Sequence, residues 1–268
     1  MSGLAQIMHN TGFTIQGSDL NRNKNTERLI KLGIPVYFGH SQKNLKKATM
    51  IVISSAIKKN NKELIAAAVK KLPVFKRGEM LANIVALKKN IVVAGSHGKT
   101  TTTSLVANIL VEAGLDPTVI NGGVINSLKN SAQLGKGEWA VIESDESDGS
   151  FLKLPITYSI VTNIDKEHLD FYGNFDKLKK SFCTFIEKTP SFGKSLICID
   201  NNNLKYLLSK CKTNNFLTYG FDKNSNYQIT NLKKKVNYSI FDLRINFSGN
   251  KIYKIRNIKV NLIGNHNI

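Results

Sequence analysis

Short apolar runs alternate with amphipathic stretches from the first residues of the chain. Residues 14–17, 36–38, 50–54 and 74–75 are rich in β-prone side chains and predict strands, whereas 2–11, 26–32, 63–71 and 78–87 carry apolar positions at helical spacing. That alternation is the mark of βαβ units around a mostly parallel sheet. The polar step Lys88-Lys89-Asn90 precedes a strongly apolar strand at 91–94 and predicts a boundary, with residues 1–88 as one α/β domain and 89–268 as a second. In the second, a glycine-rich turn leads into a helix at 101–113, strands follow at 118–121, 139–143, 156–163 and 195–200, and a helix spans 175–187. Beyond Lys212 the pattern changes to short alternating segments such as 238–246 and 258–262, which predict an antiparallel extension of the sheet. No segment recurs at the periods of solenoid proteins.

A chain of 268 residues with 41% hydrophobic content can bury one large core or two ordinary ones. The formal charge of +19, from 38 Lys and Arg against 19 Asp and Glu, raises nucleic acid or an anionic membrane as a partner. The positive residues are scattered through Lys- and Asn-rich loops at 21–25, 58–62 and 233–235, without an aromatic-interleaved basic face or a zinc pattern. They read as a solvated surface, and neither nucleic acid nor membrane is expected as a partner. Three cysteines, Cys183, Cys198 and Cys211, fit neither a disulfide framework nor a CxxC metal knuckle and predict a reducing, cytoplasmic setting. Residues 1–13 lack a basic segment followed by an apolar one, and no run approaches membrane-spanning length.

The strongest chemical signal is Ala94-Gly95-Ser96-His97-Gly98-Lys99-Thr100-Thr101-Thr102-Thr103, set between an apolar strand and a helix. Glycines there let backbone N–H groups converge on phosphate oxygens at a helix N-terminus. Lys99 then supplies the charge for the terminal phosphates, and Thr100 a hydroxyl for Mg²⁺. The loop is a variant, because Val93 stands where the general pattern has glycine.

Ligands of open α/β sheets collect beyond the carboxyl ends of the strands. The strand at 139–142 ends in Glu143-Ser144-Asp145-Glu146-Ser147-Asp148-Gly149-Ser150-Phe151, and the strand at 156–162 ends in Asn163-Ile164-Asp165-Lys166-Glu167-His168-Leu169-Asp170. If both run parallel to the phosphate-loop strand, a carboxylate cluster and a histidine-bearing loop face a triphosphate. Carboxylates packed this closely repel one another unless a cation sits among them. Magnesium prefers oxygen, so chemistry alone favours His168 as a loop histidine over a ligand, and His97 as a shaper of the loop over a proton carrier.

In this order, Gly95-Ser96-His97-Gly98-Lys99-Thr100-Thr101-Thr102, Asn121-Gly122-Gly123, Asp145-Glu146-Ser147-Asp148, Thr162-Asn163 with His168-Leu169-Asp170, and Gly264-Asn265-His266-Asn267 resemble the Mur ligases. Asp145-Glu146-Ser147-Asp148 and the opening Met1-Ser2-Gly3-Leu4-Ala5 are similar to the L-alanine-adding members; tripeptide-recycling members usually carry an Asp-Glu-Tyr-Asp type segment. The resemblance implies a truncated Rossmann-like domain for UDP-N-acetylmuramate followed by a P-loop ATP-binding domain. It implies ATP contacts from Gly95, Ser96, His97, Gly98, Lys99, Thr100 and Thr101, with His266 and Asn267 toward the adenine. Thr100, Glu143 and His168 would hold Mg²⁺, with Lys99, Glu143 and His168 as the catalytic set. Ser18, Asp19, His40, Ser54, Ser55, Glu146, Ser147 and Asn163 would hold the sugar nucleotide. The implied reaction moves the γ-phosphoryl group of ATP to the lactyl carboxylate, making an acyl phosphate that the amine of L-alanine attacks.

The family places a strand and glycine-rich loop ahead of the Met-Ser-Gly step and a third domain after Gly264-Asn265-His266-Asn267. The expectation is therefore a sheet without its central first strand, and a 268-residue chain that binds nucleotide weakly and forms no amide. A noncatalytic homologue is an alternative. A GTPase switch lacks its Asn-Lys-x-Asp motif here, and a folylpolyglutamate-type ligase has no use for the segments around Asp19, His40 and Ser54.

Overall fold

The structure is a computed structural model that describes residues 1–121, 132–247 and 251–262. Gly122, Gly123, His266 and Asn267 lie outside the described residues. The chain divides into two compact units: Met1–Lys88 with Leu110–Ala140 and Lys153–Pro155, and Lys89–Ile109 with Val141–Leu152 and Ile156–Ile268.

The first 88 residues hold α1 (Ser2–Asn10), β1 (Gly17–Asp19), α2 (Lys24–Lys31), β2 (Val36–Phe38), β3 (Ile51–Ile53), α3 (Lys62–Val69), β4 (Val74–Lys76) and α4 (Arg77–Val85). The four strands form two separate two-stranded parallel sheets, β1 with β2 and β3 with β4. The first strand lies later than its apolar pattern suggested. Ile15 drew the prediction to 14–17, but the ladder pairs Gly17, Ser18 and Asp19 with Val36, Tyr37 and Phe38. Helix starts are written in side chains. Asn23 Oδ1 accepts from Asn25 N–H at 2.9 Å and Thr26 N–H at 3.1 Å, while Thr26 Oγ1 accepts from Asn23 N–H at 2.9 Å. Asn61 does the same for α3, accepting from Glu63 and Leu64.

The remaining elements are β5 (Lys89–Ala94), α5 (Lys99–Glu112), β6 (Thr118–Ile120), β7 (Ala132–Gln133), β8 (Trp139–Glu143), β9 (Tyr158–Val161), α6 (Leu169–Tyr172), α7 (Phe175–Glu187), β10 (Ser195–Cys198), α8 (Asn202–Leu208), β11 (Phe216–Gly220), β12 (Tyr227–Lys234), β13 (Ser239–Asn246) and β14 (Ile252–Val260). The ten-stranded sheet runs β14-β13-β12-β11-β10-β9-β5-β8-β6-β7. Pairs β5–β9, β9–β10, β10–β11 and β11–β12 are parallel, and β12–β13 and β13–β14 antiparallel, which is the expected α/β sheet with its antiparallel extension.

Burial marks β5 and β8 as interior strands. Val92, Val93 and Ala94 of β5 and Ala140, Val141 and Ile142 of β8 are fully buried. That accounts for Val93 where a generic phosphate loop has glycine: it is still sheet interior, paired opposite Ile160. Beyond the acidic loop, the Phe151 ring packs against Phe182 and Phe185 of α7 at centroid distances of 5.3 and 5.2 Å. Polar atoms in the same core are paired: Ser159 Oγ donates to Ser195 Oγ at 2.7 Å, and Ser195 Oγ to Thr189 Oγ1 at 2.9 Å.

Candidate nucleotide and metal site

The phosphate-loop sequence sits at the carboxyl end of β5, with α5 starting at Lys99. Two of its glycines have positive φ, 141° at Gly95 and 79° at Gly98. Gly95 is also sterically required. A Cβ there would stand 2.1 Å from Thr162 Oγ1 and 3.0 Å from Asn163 O, because the loop crosses directly over the end of β9. The crossing is stapled by hydrogen bonds. Ser96 N–H donates to Asn163 O at 3.1 Å, Asn163 Oδ1 accepts from His97 N–H at 2.8 Å, and Thr162 Oγ1 and Asn163 Nδ2 both donate to His97 O, at 2.7 and 3.0 Å. Asn163, assigned by resemblance to the sugar nucleotide, thus fixes the backbone of the phosphate loop. The His97 ring faces outward, 3.2 Å from Asp165 Oδ2 and 3.5 Å from Glu167 Oε1.

Lys99 folds back over its own loop. Its Nζ donates to Gly95 O at 2.6 Å, to Ser96 O at 3.2 Å and to Glu146 Oε1 at 2.8 Å. Thr100 Oγ1 lies 3.0 Å from both carboxylate oxygens of Glu143, the last residue of β8. Strand ends coincide here, since Ser144 N–H and Ser144 Oγ both donate to Val93 O at 2.9 Å. His168, with left-handed φ 55° at the start of α6, brings Nε2 to 3.6 Å from Glu146 Oε1. Glu146, Glu167 and His168 offer ligand atoms that all lie within 4.8 Å of one another.

Glu146 is the pivot of this arrangement. Only 3% of its side chain is exposed, and Oε2 has no hydrogen-bond partner among the described residues. Burial raises its carboxyl above the ordinary range, and the Lys99 ammonium offsets part of that rise. Tyr172 Oη donates to the Glu146 carbonyl, and burial, with the neighbouring carboxylates, pushes the phenol upward. The resemblance had assigned Glu146 and Ser147 to the sugar nucleotide. The structure places Glu146 at Lys99 and turns the Ser147 hydroxyl onto Asp145 Oδ1 at 2.5 Å. Thr101 follows in the first turn of α5.

A second cluster lies in the other unit. Ser18 Oγ donates to Glu63 Oε2 at 2.6 Å and lies 3.1 Å from His40 Nδ1, while Asn44 Nδ2 and Ser41 N–H donate to Glu63 Oε1 at 2.6 and 3.3 Å. Ser18 and His40 are therefore brought together, with Asp19 next along β1, whereas Ser54 and Ser55 occupy the turn after β3. Glu63 escaped the sequence analysis because an acid two residues after Asn61 looks like an ordinary helix-start charge. Tyr172 was missed too; its spacing of four from His168 was the available signal.

The glycine-rich loop after β5 is thus flanked by the acidic end of β8 and the histidine-bearing loop after β9. Residues 93–268 match the Mur ligase middle domain and residues 1–89 the Mur ligase family catalytic domain, and the chain belongs to the Mur ligase family. Within it, the chain is 61% identical over its whole length to UDP-N-acetylmuramate--L-alanine ligase of Pelagibacter ubique, spanning 58% of that relative. It is 50% identical over 91% of its length to the enzyme of the same name in Parvibaculum lavamentivorans, spanning 50% of it. Two solved structures superpose over the entire chain. UDP-N-acetylmuramate-alanine ligase from Thermotoga maritima has TM-score 0.85 at 25% identity, with 59% of that chain covered. UDP-N-acetylmuramate:L-alanyl-gamma-D-glutamyl-meso-diaminopimelate ligase from Neisseria meningitides has TM-score 0.86 at 26% identity, with 86% covered.

Proposed function

We propose that this chain carries the sugar-nucleotide and ATP sites of a ligase that joins L-alanine to the lactyl carboxylate of UDP-N-acetylmuramate, a step of peptidoglycan precursor synthesis. The carrying observation is that Lys99, Glu146 and His168 meet beside the Thr100–Glu143 pair at one sheet edge. Two relatives named for this reaction, at 61% and 50% identity, favour L-alanine as the amine over a tripeptide.

The donor chemistry fits magnesium. Thr100 and Glu143 present oxygens already within 3.0 Å of one another, and Glu146 Oε2 is a buried acceptor awaiting a partner. Thr100 and Glu143 would hold one ion, and His168 another. When bound, the metal neutralises charge that accumulates on the transferring phosphoryl group. Lys99 supplies its ammonium to the γ-phosphate, exchanging the Gly95 and Ser96 carbonyls for phosphate oxygens. Gly95, Ser96, His97, Gly98, Thr100 and Thr101 cradle the remaining phosphates by N–H groups at the α5 N-terminus. His266 and Asn267 are read as reaching the adenine. Ser18, Asp19, His40, Ser54 and Ser55, with residues 1–88 around them, hold the uridine nucleotide, and Glu63 fixes the side chains of Ser18 and Asn44. Activation as an acyl phosphate makes the lactyl carboxylate electrophilic enough for the amine.

The test is thermal stabilisation of the 268-residue chain by separate ligands. UDP-N-acetylmuramate and MgATP should each raise the Tm, and Lys99→Ala should remove the MgATP shift while keeping the other. Stabilisation by a folate instead of the sugar nucleotide would redirect the assignment to folylpolyglutamate-type chemistry.

A further inference from the structure

Away from the nucleotide site, two cysteines and a glutamate from separate parts of the chain meet in the second unit. Cys183 and Glu187 are one turn apart on α7 and share a helix face. Cys211 follows α8, where its N–H donates to Leu207 O at 3.1 Å. The Cys183 and Cys211 sulfurs stand 2.7 Å apart. Glu187 Oε1 lies 3.4 Å from Cys183 Sγ and accepts from Lys212 N–H at 2.7 Å.

Two chemistries compete for such a cluster: a cation held by Cys183, Glu187 and Cys211, or a bond between the sulfurs. Thiolates sharing a tetrahedral zinc at the usual Zn–S length sit about 3.8 Å apart. Bonded sulfurs sit about 2.05 Å apart, and the observed separation is nearer that value. The surroundings agree. A cavity of about 250 Å³ opens beside Cys183, lined by Lys179, Lys180, Lys210 and Asp176, with the Lys179 ammonium paired to Asp176 Oδ1 at 2.7 Å. The two lysines left over, Lys180 and Lys210, disfavour a divalent cation and favour an anionic reactant.

We propose that Cys183 and Cys211 are a redox pair, joined reversibly through exchange with an anionic low-molecular-weight disulfide that docks in the lysine-lined cavity. Cys183 gives its proton to solvent and its thiolate attacks one sulfur of the small disulfide, forming a mixed disulfide and expelling one thiolate, which solvent protonates. Cys211 gives its proton to solvent and attacks the Cys183 sulfur, expelling the second thiolate. Two protein thiols are oxidised and one small disulfide is reduced to two thiols, so atoms and electrons balance. Cys183 attacks first because it lines the cavity. Burial and the Glu187 carboxylate raise its thiol, with the Cys211 hydrogen bond and then Lys212 offsetting part of the rise; Cys211 is raised by burial, Cys183 and Glu187. Exchange is therefore slow at neutral pH and accelerates as pH rises. In a reducing compartment the pair stays open, and a bond formed there is transient.

Oxidised glutathione serves as the probe, with the 268-residue chain incubated, unfolded, alkylated and mapped by mass spectrometry. Alkylatable thiols should fall from three to one, a peptide should link Cys183 to Cys211, and dithiothreitol should reverse both. Cys198→Ser should leave that link intact, and Cys211→Ser should arrest at a glutathione adduct on Cys183. Retention of all three thiols overturns the proposal, as does a link through Cys198 or a stable adduct on Cys183 of the parent chain with Cys211 still free.

Discussion

At Gly95 a single missing methyl group decides whether the phosphate loop can form. Alanine there would be strained by φ 141° and would drive its Cβ to 2.1 Å from Thr162 Oγ1. Gly95→Ala should lower stability to urea by about 2–4 kcal/mol, summing strain and overpacking. A variant as stable as the parent would show that the crossing over β9 is not as tight as described. Glu146 makes a different statement, about pH. Its folded pKa is raised by burial, so the native state holds the proton over a range in which the unfolded carboxyl has already lost it. Its contribution is fully present below the unfolded value, about 4.3, and is lost as pH rises through the folded one. In chelator, Glu146→Gln should therefore gain stability relative to the parent as pH climbs through that window. Parallel pH profiles for the two would contradict the burial account.

Among the elements, the acidic loop is held from behind by Phe151, which closes an aromatic trio with Phe182 and Phe185 of α7, all three fully buried. Phe151→Ala should cost about 3–5 kcal/mol in urea unfolding, and a loss below about 1 kcal/mol would mean the trio is not what anchors the loop. The strands that flank the site were legible because each is a buried apolar run ending in chemistry: 91–94 before the loop, 139–143 before Glu146, and 156–163 before His168. Other elements were less legible. The four-residue α6, the two-residue β7 and the partly buried β12 carry too little apolar periodicity to announce themselves, and they form through tertiary pairing. Helix starts ran early where side chains cap them, as at Asn23, which starts α2 at Lys24, two residues before the predicted start at 26.

On the scale of the whole molecule, motif order carried more than any property of composition. The +19 charge, which alone could have pointed to nucleic acid, is spread through Lys- and Asn-rich loops, whereas the ordered motifs pointed to the family that residues 1–89 and 93–268 match. Residue types with an obvious role, Lys99 and Thr100, could be located from the sequence, but their partners could not. That Lys99 closes on Glu146 and that Asn163 braces the loop backbone depend on which strand ends the sheet order brings side by side, while Glu63, at the start of α3, gathers Ser18, Ser41 and Asn44 from other elements. Such pairings span tens of residues, and no local pattern records them.

The central claim is that Lys99, Thr100, Glu143, Glu146 and His168 act as a single magnesium-nucleotide centre. Calorimetric titration of ATP into the chain, with and without Mg²⁺, tests it most directly. Binding should require the metal, and Lys99→Ala and His168→Ala should each weaken it at least about tenfold, or about 1.4 kcal/mol. Equal affinity for ATP in the parent and both variants, or binding indifferent to magnesium, would contradict it.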